Sequence, residues 1–422
     1  MITGGALGQI TDAAETTARL LHAGLQVTHA EPMYIRHKPG TGTIVAHRID
    51  LAEGAPTWGY THWHADRARA EETWRKAIAL HPTPSPAGPG VVRLDPHTVC
   101  RMLPNDGALR RLRWWLDPRK LKRSLGSLAE TGRRISGRGT SVQILRYKPR
   151  RRVVLRVDLA TGTRRRPLLV RYSTHSSHGN AGRLAHHLRC HGVAVPAPIG
   201  QFEDGHVTVD SFVRGTALRS AVHSGARIDA SELAAAVHRF HRAPPREAPG
   251  RTSLDDLSNA RAGLRVLTSL NPASADVARS VADALERTMP EPNASPVLRH
   301  GDLHADNVLV SPDGVLFVDL ERISLGPAAA DLGQLHGHAI AAERHRGPAP
   351  ASLLELTRAA IDDYRRTGGS VDPSALSWYT ALALTEQAVL TLRRLEPDWP
   401  TRSIDLLGAA GAVAPAGART AS

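Results

Sequence analysis

The sequence repeats itself, and the repeat limits what the first half can fold into. YIRHKPGTGTIVAHRIDL (34 to 51) lines up with ILRYKPRRRVVLRVDL (144 to 159), sharing an Arg, a Lys-Pro turn and an Asp-Leu end, with two extra residues in the first hairpin. HTVCRMLPNDGALRR (97 to 111) matches HVTVDSFVRGTALRS (206 to 220) at an offset of 109 residues, between the offsets of 110 and 108 in the first pair. Two collinear matches at one period indicate a duplicated β-rich unit. The alternative is two unrelated hairpins that both use Pro to fix φ where a turn begins. Duplication predicts that 1–125 forms a hairpin, a strand, a helix and a second hairpin, as 136–218 does, with the basic run RRLRWWLDPRKLKRSL (110 to 125) as connection.

Near residue 220 the texture changes. Before it, short runs such as TIVAHRIDL, VVLRVDL, PLLVRYS and HVTVDSFV read as strands between turns. After it, ASELAAAVHRFHR, ASLLELTRAAIDDYRR and SALSWYTALALTEQAVLTLRRL carry helical periodicity. The fold class expected is α+β: a β-rich lobe and a helical lobe (219–407), with the low-complexity end GAAGAVAPAGARTAS (408–422) as a disordered tail. The first thirty residues lack the n- and h-regions of a signal peptide, and no apolar run is long enough for a membrane span, so a cytoplasmic protein without a membrane partner is expected. Cys100 and Cys190 have no C-x-x-C partner and read as buried thiols.

A net charge of +14 invites a nucleic-acid reading. Yet Lys38, Lys76, Lys120, Lys122 and Lys148 are the only lysines against 49 arginines, which with heavy Ala, Gly and Pro use matches coding bias from a GC-rich genome. Aromatic residues, at 4%, give few stacking platforms for single strands, and no nucleic-acid motif is present. Small anions such as nucleotides or phosphates are the better expectation, and nucleic acid is not expected as a partner. His175, His178, His186, His187 and His191 follow no zinc spacing.

Chemistry concentrates in LRHGDLHADNVLV (298 to 310). His300, Asp302 and Asn307 have the spacing of the H-R-D-L-x-x-x-N loop of kinases, with Gly301 in place of the Arg. Phosphoryl transfer requires a carboxylate to accept the hydroxyl proton and an amide oxygen for the metal, so an Asp and an Asn five residues apart suit it. A second carboxylate must hold Mg²⁺ across the phosphates. VLFVDLERI supplies Asp319 at the end of an apolar strand, one hairpin on from the loop through the turn Ser311-Pro-Asp-Gly314. Asp302 and Asn307 could instead cap a turn.

The pair HGDLHADNVLV and FVDLERISLGPAAADL resembles the aminoglycoside phosphotransferase and choline kinase superfamily, small-molecule kinases with a protein-kinase-like fold. VTVDSFVRGTAL looks like its hinge and LSWYTALALTEQAVLTLRRLEPDW like its C-terminal helices, so the likeness spans about residues 136 to 405. It implies a bilobal fold, with 136–218 as nucleotide-binding lobe and 1–125 as a cap resembling a second such lobe. It also implies ATP and Mg²⁺ as cofactors, and a small hydroxylated acceptor. Asp331, in the G-P-x-x-x-D-L element, would brace the catalytic loop, and His304 falls where protein kinases place a phosphate-contacting Lys.

The chain departs from the family in its nucleotide-binding half. PLLVRYS puts Arg171 at the strand-three Lys position, and from Leu159 to Phe202 there is no acidic residue to pair with it. The turn over the phosphates is YKPRRR, without glycine, so Arg171 with Lys148, Arg150 and Arg151 is the phosphate-binding set expected. Two readings follow: an active kinase of a small alcohol such as an aminoglycoside or sugar, or a kinase fold of degraded activity that binds nucleotide or a partner. A kinase of Ser or Thr hydroxyls in a peptide is a further alternative. Sequence is silent on the acceptor and on oligomeric state.

Overall fold

The computed structural model describes the chain apart from residues 1–7, 9, 126–134, 162–163, 176–179, 245–246, 292–295, 347–351 and 416–422. Helix α1 (Ala13–His22) precedes strands β1 (His29–Lys38), β2 (Gly42–Asp50) and β3 (Thr57–His64), then α2 (Arg67–Ala79), β4 (Val91–Asp95) and β5 (Thr98–Met102). Short helices α3 (Leu112–Trp115) and α4 (Pro118–Ser124) follow. The series then recurs as β6 (Ile135–Lys148), β7 (Arg152–Thr161), β8 (Arg164–Ser173), α5 (Asn180–Cys190), β9 (Pro198–Phe202) and β10 (Val207–Ser211).

The two sheets have the same strand order, β1-β2-β3-β5-β4 and β6-β7-β8-β10-β9. Their registers coincide too: Thr61 lies opposite Cys100 and Val170 opposite Val209, a shift of 109 residues on both strands. The two extra residues expected in the first hairpin are not there. Lys38 pairs with Gly42 and Lys148 with Arg152 across turns of equal length, while Asp50 faces His29 and Asp158 faces Ser141. The Asp-Leu pairs thus sit two places apart along equivalent strands. A two-residue slip leaves every side chain on its own face, so pattern matching could not detect it.

The chain forms two compact units, with no boundary near residue 125. The first holds Met1–Ser177, Ile199–Phe212 and Arg393–Pro397; the second holds His178–Pro198, Val213–Leu392 and Asp398–Ser422. The reason is a shared core. Ile44, Ala46 and Tyr60 of the first sheet pack with Val153, Leu155, Val170, Tyr172, Val207 and Val209 of the second. The run from 110 to 125, expected as a basic connection, belongs to this core: Leu112, Trp115, Leu121 and Leu125 are each at most 1% exposed. Burying such a side chain contributes about 1.5–3 kcal/mol. Charge hid the apolar spacing of that segment.

Polar contacts fasten the sheets together. Asp106, 5% exposed, accepts hydrogen bonds from Ala108 N (2.8 Å), Leu109 N (3.1 Å), the Tyr147 hydroxyl (2.8 Å) and Arg150 N (2.7 Å). Trp115 Nε1 donates to Glu203 (3.0 Å), and Lys148 Nζ lies 5.8 Å from the centre of the Tyr34 ring.

The second unit contains β11 (Thr216–Ala217), α6 (Leu218–His223), α7 (Ala230–Arg242), α8 (Ser253–Leu270) and α9 (Ala275–Arg287), then β12 (Val297–Arg299), β13 (Val308–Ser311), β14 (Gly314–Phe317) and β15 (Ser324–Gly326). Helices α10 (Ala328–Arg346), α11 (Leu353–Arg366), α12 (Pro373–Arg393) and α13 (Trp399–Val413) complete the chain. Strands β11, β13 and β14 form one small sheet and β12 with β15 another. The tail expected from 408 is a correction: α13 runs to Val413, with Ala409 and Ala410 buried, while 416–422 lie outside the described residues. Its alanine-rich composition looks simple, but alanine has the highest helix propensity of all residues.

Removing the carboxylate that four donors share would strand at least one buried donor. Asp106→Ala is therefore expected to lower stability by about 1–3 kcal/mol, read as a shift in the urea midpoint without loss of secondary structure by circular dichroism.

Candidate active site

Strand β12 ends at Arg299, and the loop that follows, beginning with His300, returns into β13. The loop is held from beneath by one buried carboxylate. Asp331, at the start of α10 and 1% exposed, accepts from His300 N (2.6 Å), Gly301 N (2.9 Å) and His241 Nε2 (3.1 Å). His241 on α7 is fixed in turn by the Tyr364 hydroxyl, 2.8 Å from Nδ1. Burial works to raise the Asp331 pKa, but His241, His300 and the Gly301 amide hold it below the usual carboxylate range.

The His300 ring joins the loop to the segment after β14 that carries the second carboxylate. Its Nε2–H donates to the Val318 carbonyl (2.9 Å) and its Nδ1 accepts from Asp302 N (3.3 Å). Val318 N donates to the Asn307 carbonyl (2.9 Å), so the segment before Asp319 is tied to the loop at two points. Asp319 itself has left-handed backbone, φ 64° and ψ 56°, which turns the chain sharply at that residue. Gly301, at φ +76°, is required by space as well as conformation: a Cβ there would stand 2.2 Å from the Arg322 carbonyl oxygen.

Asp302, half-buried, has Arg322 Nη1 at 3.6 Å. The Asn307 amide nitrogen donates to the Asp302 carbonyl (2.8 Å), so its Oδ1 is the end of that side chain that could accept a metal. An amide oxygen and the Asp319 carboxylate are hard oxygen donors of the kind that hold Mg²⁺ together with substrate phosphates. His304 stacks on His338, with ring centres 4.6 Å apart and planes at 5°. Its Nδ1 accepts from Asp306 N (3.2 Å), which leaves Nε2–H as the donor of the ring, and burial lowers its pKa from the usual histidine range. Sequence reasoning missed His241, Tyr364 and Arg322. The signal for His241 was its place on the buried stripe of α7 beside Leu233, Val237 and Phe240.

In the first unit the phosphate-binding set expected from the sequence is divided between different partners. Val170 and Tyr172 face the shared core, so Arg171 between them lies on the opposite face of the sheet. There it pairs with Asp210 of β10, a partner for which local sequence gave no signal. Burial raises the Asp210 pKa while Arg171 opposes the shift. Lys148 is held over Tyr34, and the Arg150 backbone by Asp106. Among the described residues no group of three or more His, Cys, Asp or Glu is arranged to hold a metal; His178 lies outside them.

The two units together have the β-rich and helical lobes of a protein-kinase-like fold. Aminoglycoside phosphotransferase APH(4)-Ia, in ternary complex with ADP and hygromycin B, superposes with a TM-score of 0.51 at 12% identity, covering 71% of this chain and 99% of that one. Choline kinase from Cryptosporidium parvum Iowa II gives a TM-score of 0.49 at 14% identity over 70% of this chain and 95% of that one. Macrolide 2'-phosphotransferase MphH from Brachybacterium faecium gives 0.45 at 16%, over 69% and 97%. The model of the phosphotransferase enzyme family matches residues 137–369, more than half of the sequence, and the chain belongs to that family. No curated protein sequence matches it. Among the described residues no helix is long and apolar enough to cross a membrane.

Because the Asp331 pKa is depressed on folding, its contribution to stability is complete above the unfolded value of about 3.9 and is lost as pH falls through the folded value. The stability gap between wild type and Asp331→Asn is therefore expected to stay constant from pH 7 to about pH 5 and to shrink below about pH 4, measured as urea midpoints across that range.

Proposed function

We propose that the protein is an ATP-dependent O-phosphotransferase acting on a small hydroxylated molecule such as an aminoglycoside or a sugar. The observation that carries this reading is the common frame of Asp302, Asn307 and Asp319. One loop and one strand, cross-linked through His300 and Val318 and braced by Asp331, hold a carboxylate base beside two metal-type oxygen donors. Turn capping alone would not require that frame.

In this reading the Asp302 carboxylate orients the acceptor hydroxyl and takes its proton as the acceptor oxygen bonds to the γ-phosphorus and the bond to the β–γ bridging oxygen breaks, releasing ADP. Asn307 and Asp319 would hold Mg²⁺, which when bound would supply charge neutralisation at the phosphate oxygens. His304 offers a neutral donor to an oxygen on the transferred group or the acceptor. Arg171 supplies the fixed positive charge for the remaining phosphates, with Asp210 in the orienting role that a helix Glu has for the family's Lys. A guanidinium is planar, always charged and able to grip two oxygens at once, so it suits that place.

With ATP, Mg²⁺ and a panel of alcohols, wild-type protein is expected to consume ATP with at least one acceptor. Asp302→Asn should abolish turnover while nucleotide affinity stays near that of wild type, because base and metal ligands are separate residues. Full activity in Asp302→Asn would refute the assignment. A wild-type protein that binds ATP but turns over no acceptor would instead favour the binding-only reading.

Arg171→Ala is expected to weaken ATP binding by about 1.5–3 kcal/mol. Calorimetric titration beside the Arg171→Ala/Asp210→Asn pair, which removes the stranded buried carboxylate, separates a lost phosphate contact from a damaged sheet. Unchanged affinity in both would make the pair purely structural.

A further inference from the structure

The shared face between the two sheets gathers arginines that have no ion-pair partner among the described residues. Arg36 lies opposite Ile44, Ile44 opposite His62, and Tyr60 opposite Arg101. Cross-strand partners point to the same face. Ile44 and Tyr60 belong to the shared core, so Arg36, His62 and Arg101 also face the second sheet. From the other side comes the tip of the β6–β7 hairpin, bearing Arg150 and Arg151. Arg150 has φ +57° at the place where the first hairpin has Gly40 at φ +69°. A non-glycine residue there is strained by roughly 1–2 kcal/mol, and the bond from its amide to Asp106 holds it in that conformation.

The other two arginines of the first sheet's strands are paired, Arg48 with Glu31 and Arg93 with Glu71, as is Arg19 of α1 with Asp95. Arg36, Arg101, Arg150 and Arg151 have no carboxylate within ion-pair distance among the described residues, and the Arg101 guanidinium, in a residue 9% exposed, has no hydrogen-bond partner there. Asp106, whose single charge reaches Arg36, already accepts from four neutral donors, and Asp66 caps α2. Burial, with nearby arginines, holds His62 well below the usual histidine range and lowers His64 as well. His64, 6% exposed and with its ring 3.8 Å from that of His62, has a buried Nε2 with no partner. Close guanidinium groups without a counter-charge repel one another, and an arginine cluster is well suited to grip phosphate oxygens.

We propose that this face is a second anion site for a small ligand carrying two or more linked phosphoryl groups, gripped by Arg36, Arg101 and Arg150, with His64 donating from Nε2. It lies on the opposite face of the second sheet from Arg171. It is independent of the phosphoryl-transfer reading, and it gives Arg150 and Arg151 a role away from the ATP phosphates.

The test is calorimetric titration of the full chain with inorganic tripolyphosphate, in wild type, Arg36→Gln/Arg101→Gln and Asp319→Asn. Wild type is expected to bind, the double variant to bind at least about tenfold more weakly, and Asp319→Asn to bind like wild type. Without ligand the double variant should melt no lower than wild type, because it relieves repulsion; if it fails to fold, the single Arg36→Gln variant carries the test with the same expectation. ADP titrated against pyrophosphate in Asp319→Asn assigns the ligand: tighter ADP binding supports a nucleotide, equal or weaker binding an inorganic polyphosphate. No binding by wild type, equal binding by the arginine variants, or loss of binding in Asp319→Asn alone would each overturn the proposal.

Discussion

One buried carboxylate fixes the loop between β12 and β13. Asp331 accepts two successive backbone amides and a histidine in a position with almost no solvent contact. A charge so placed is tolerable only when its acceptor positions are filled, and breaking such a pair commonly costs about 3–5 kcal/mol. The loop therefore has one permitted conformation, with Gly301 pressed against Arg322 and Asn307 reaching back to Asp302. Asp302 and Asp319 inherit their positions from that constraint.

The strand-three position shows how a different pair can fill a similar need. A lysine is a flexible point charge that needs a partner to aim it. Arg171 has a rigid fork, and Asp210 comes from the neighbouring strand rather than from a helix. Cross-strand pairing fixes that partner as firmly as the sheet register itself, so the arginine's orientation does not depend on the position of α5.

The two sheets stack unequally. The first presents Arg36, Tyr60, His62 and Arg101, while the second presents Val153, Val170 and Tyr172 and keeps Arg171 for its other face. In the common register His62 corresponds to Arg171 and Arg101 to Asp210, both shifted by 109 residues. The face of the first copy that corresponds to the Arg171 face of the second is thus the one covered by the neighbouring sheet. Equal topology has been put to different use, and the charges on the two faces have changed accordingly.

Local signals settled much of this protein in advance. The Lys-Pro turns and alternating runs marked hairpins, the 3.6-residue pattern marked the helices after residue 220, and the spacing of His300, Asp302, Asn307 and Asp319 marked the loop and the segment after β14 that form the candidate site. Such signals survive in a sequence because turns, helices and short loops are decided by residues near one another in the chain. Tertiary structure alone decided the rest. Arg171 meets Asp210 across 39 residues, Arg150 meets Asp106 across 44 and His241 meets Asp331 across 90. Each of these contacts depends on strand register or helix packing, which local pattern does not encode. The same reason explains the segments that read differently once folded: the basic run from 110 to 125 and the alanine-rich end of α13 are ordered by the apolar surfaces they meet, and composition records what a segment contains but not what it packs against.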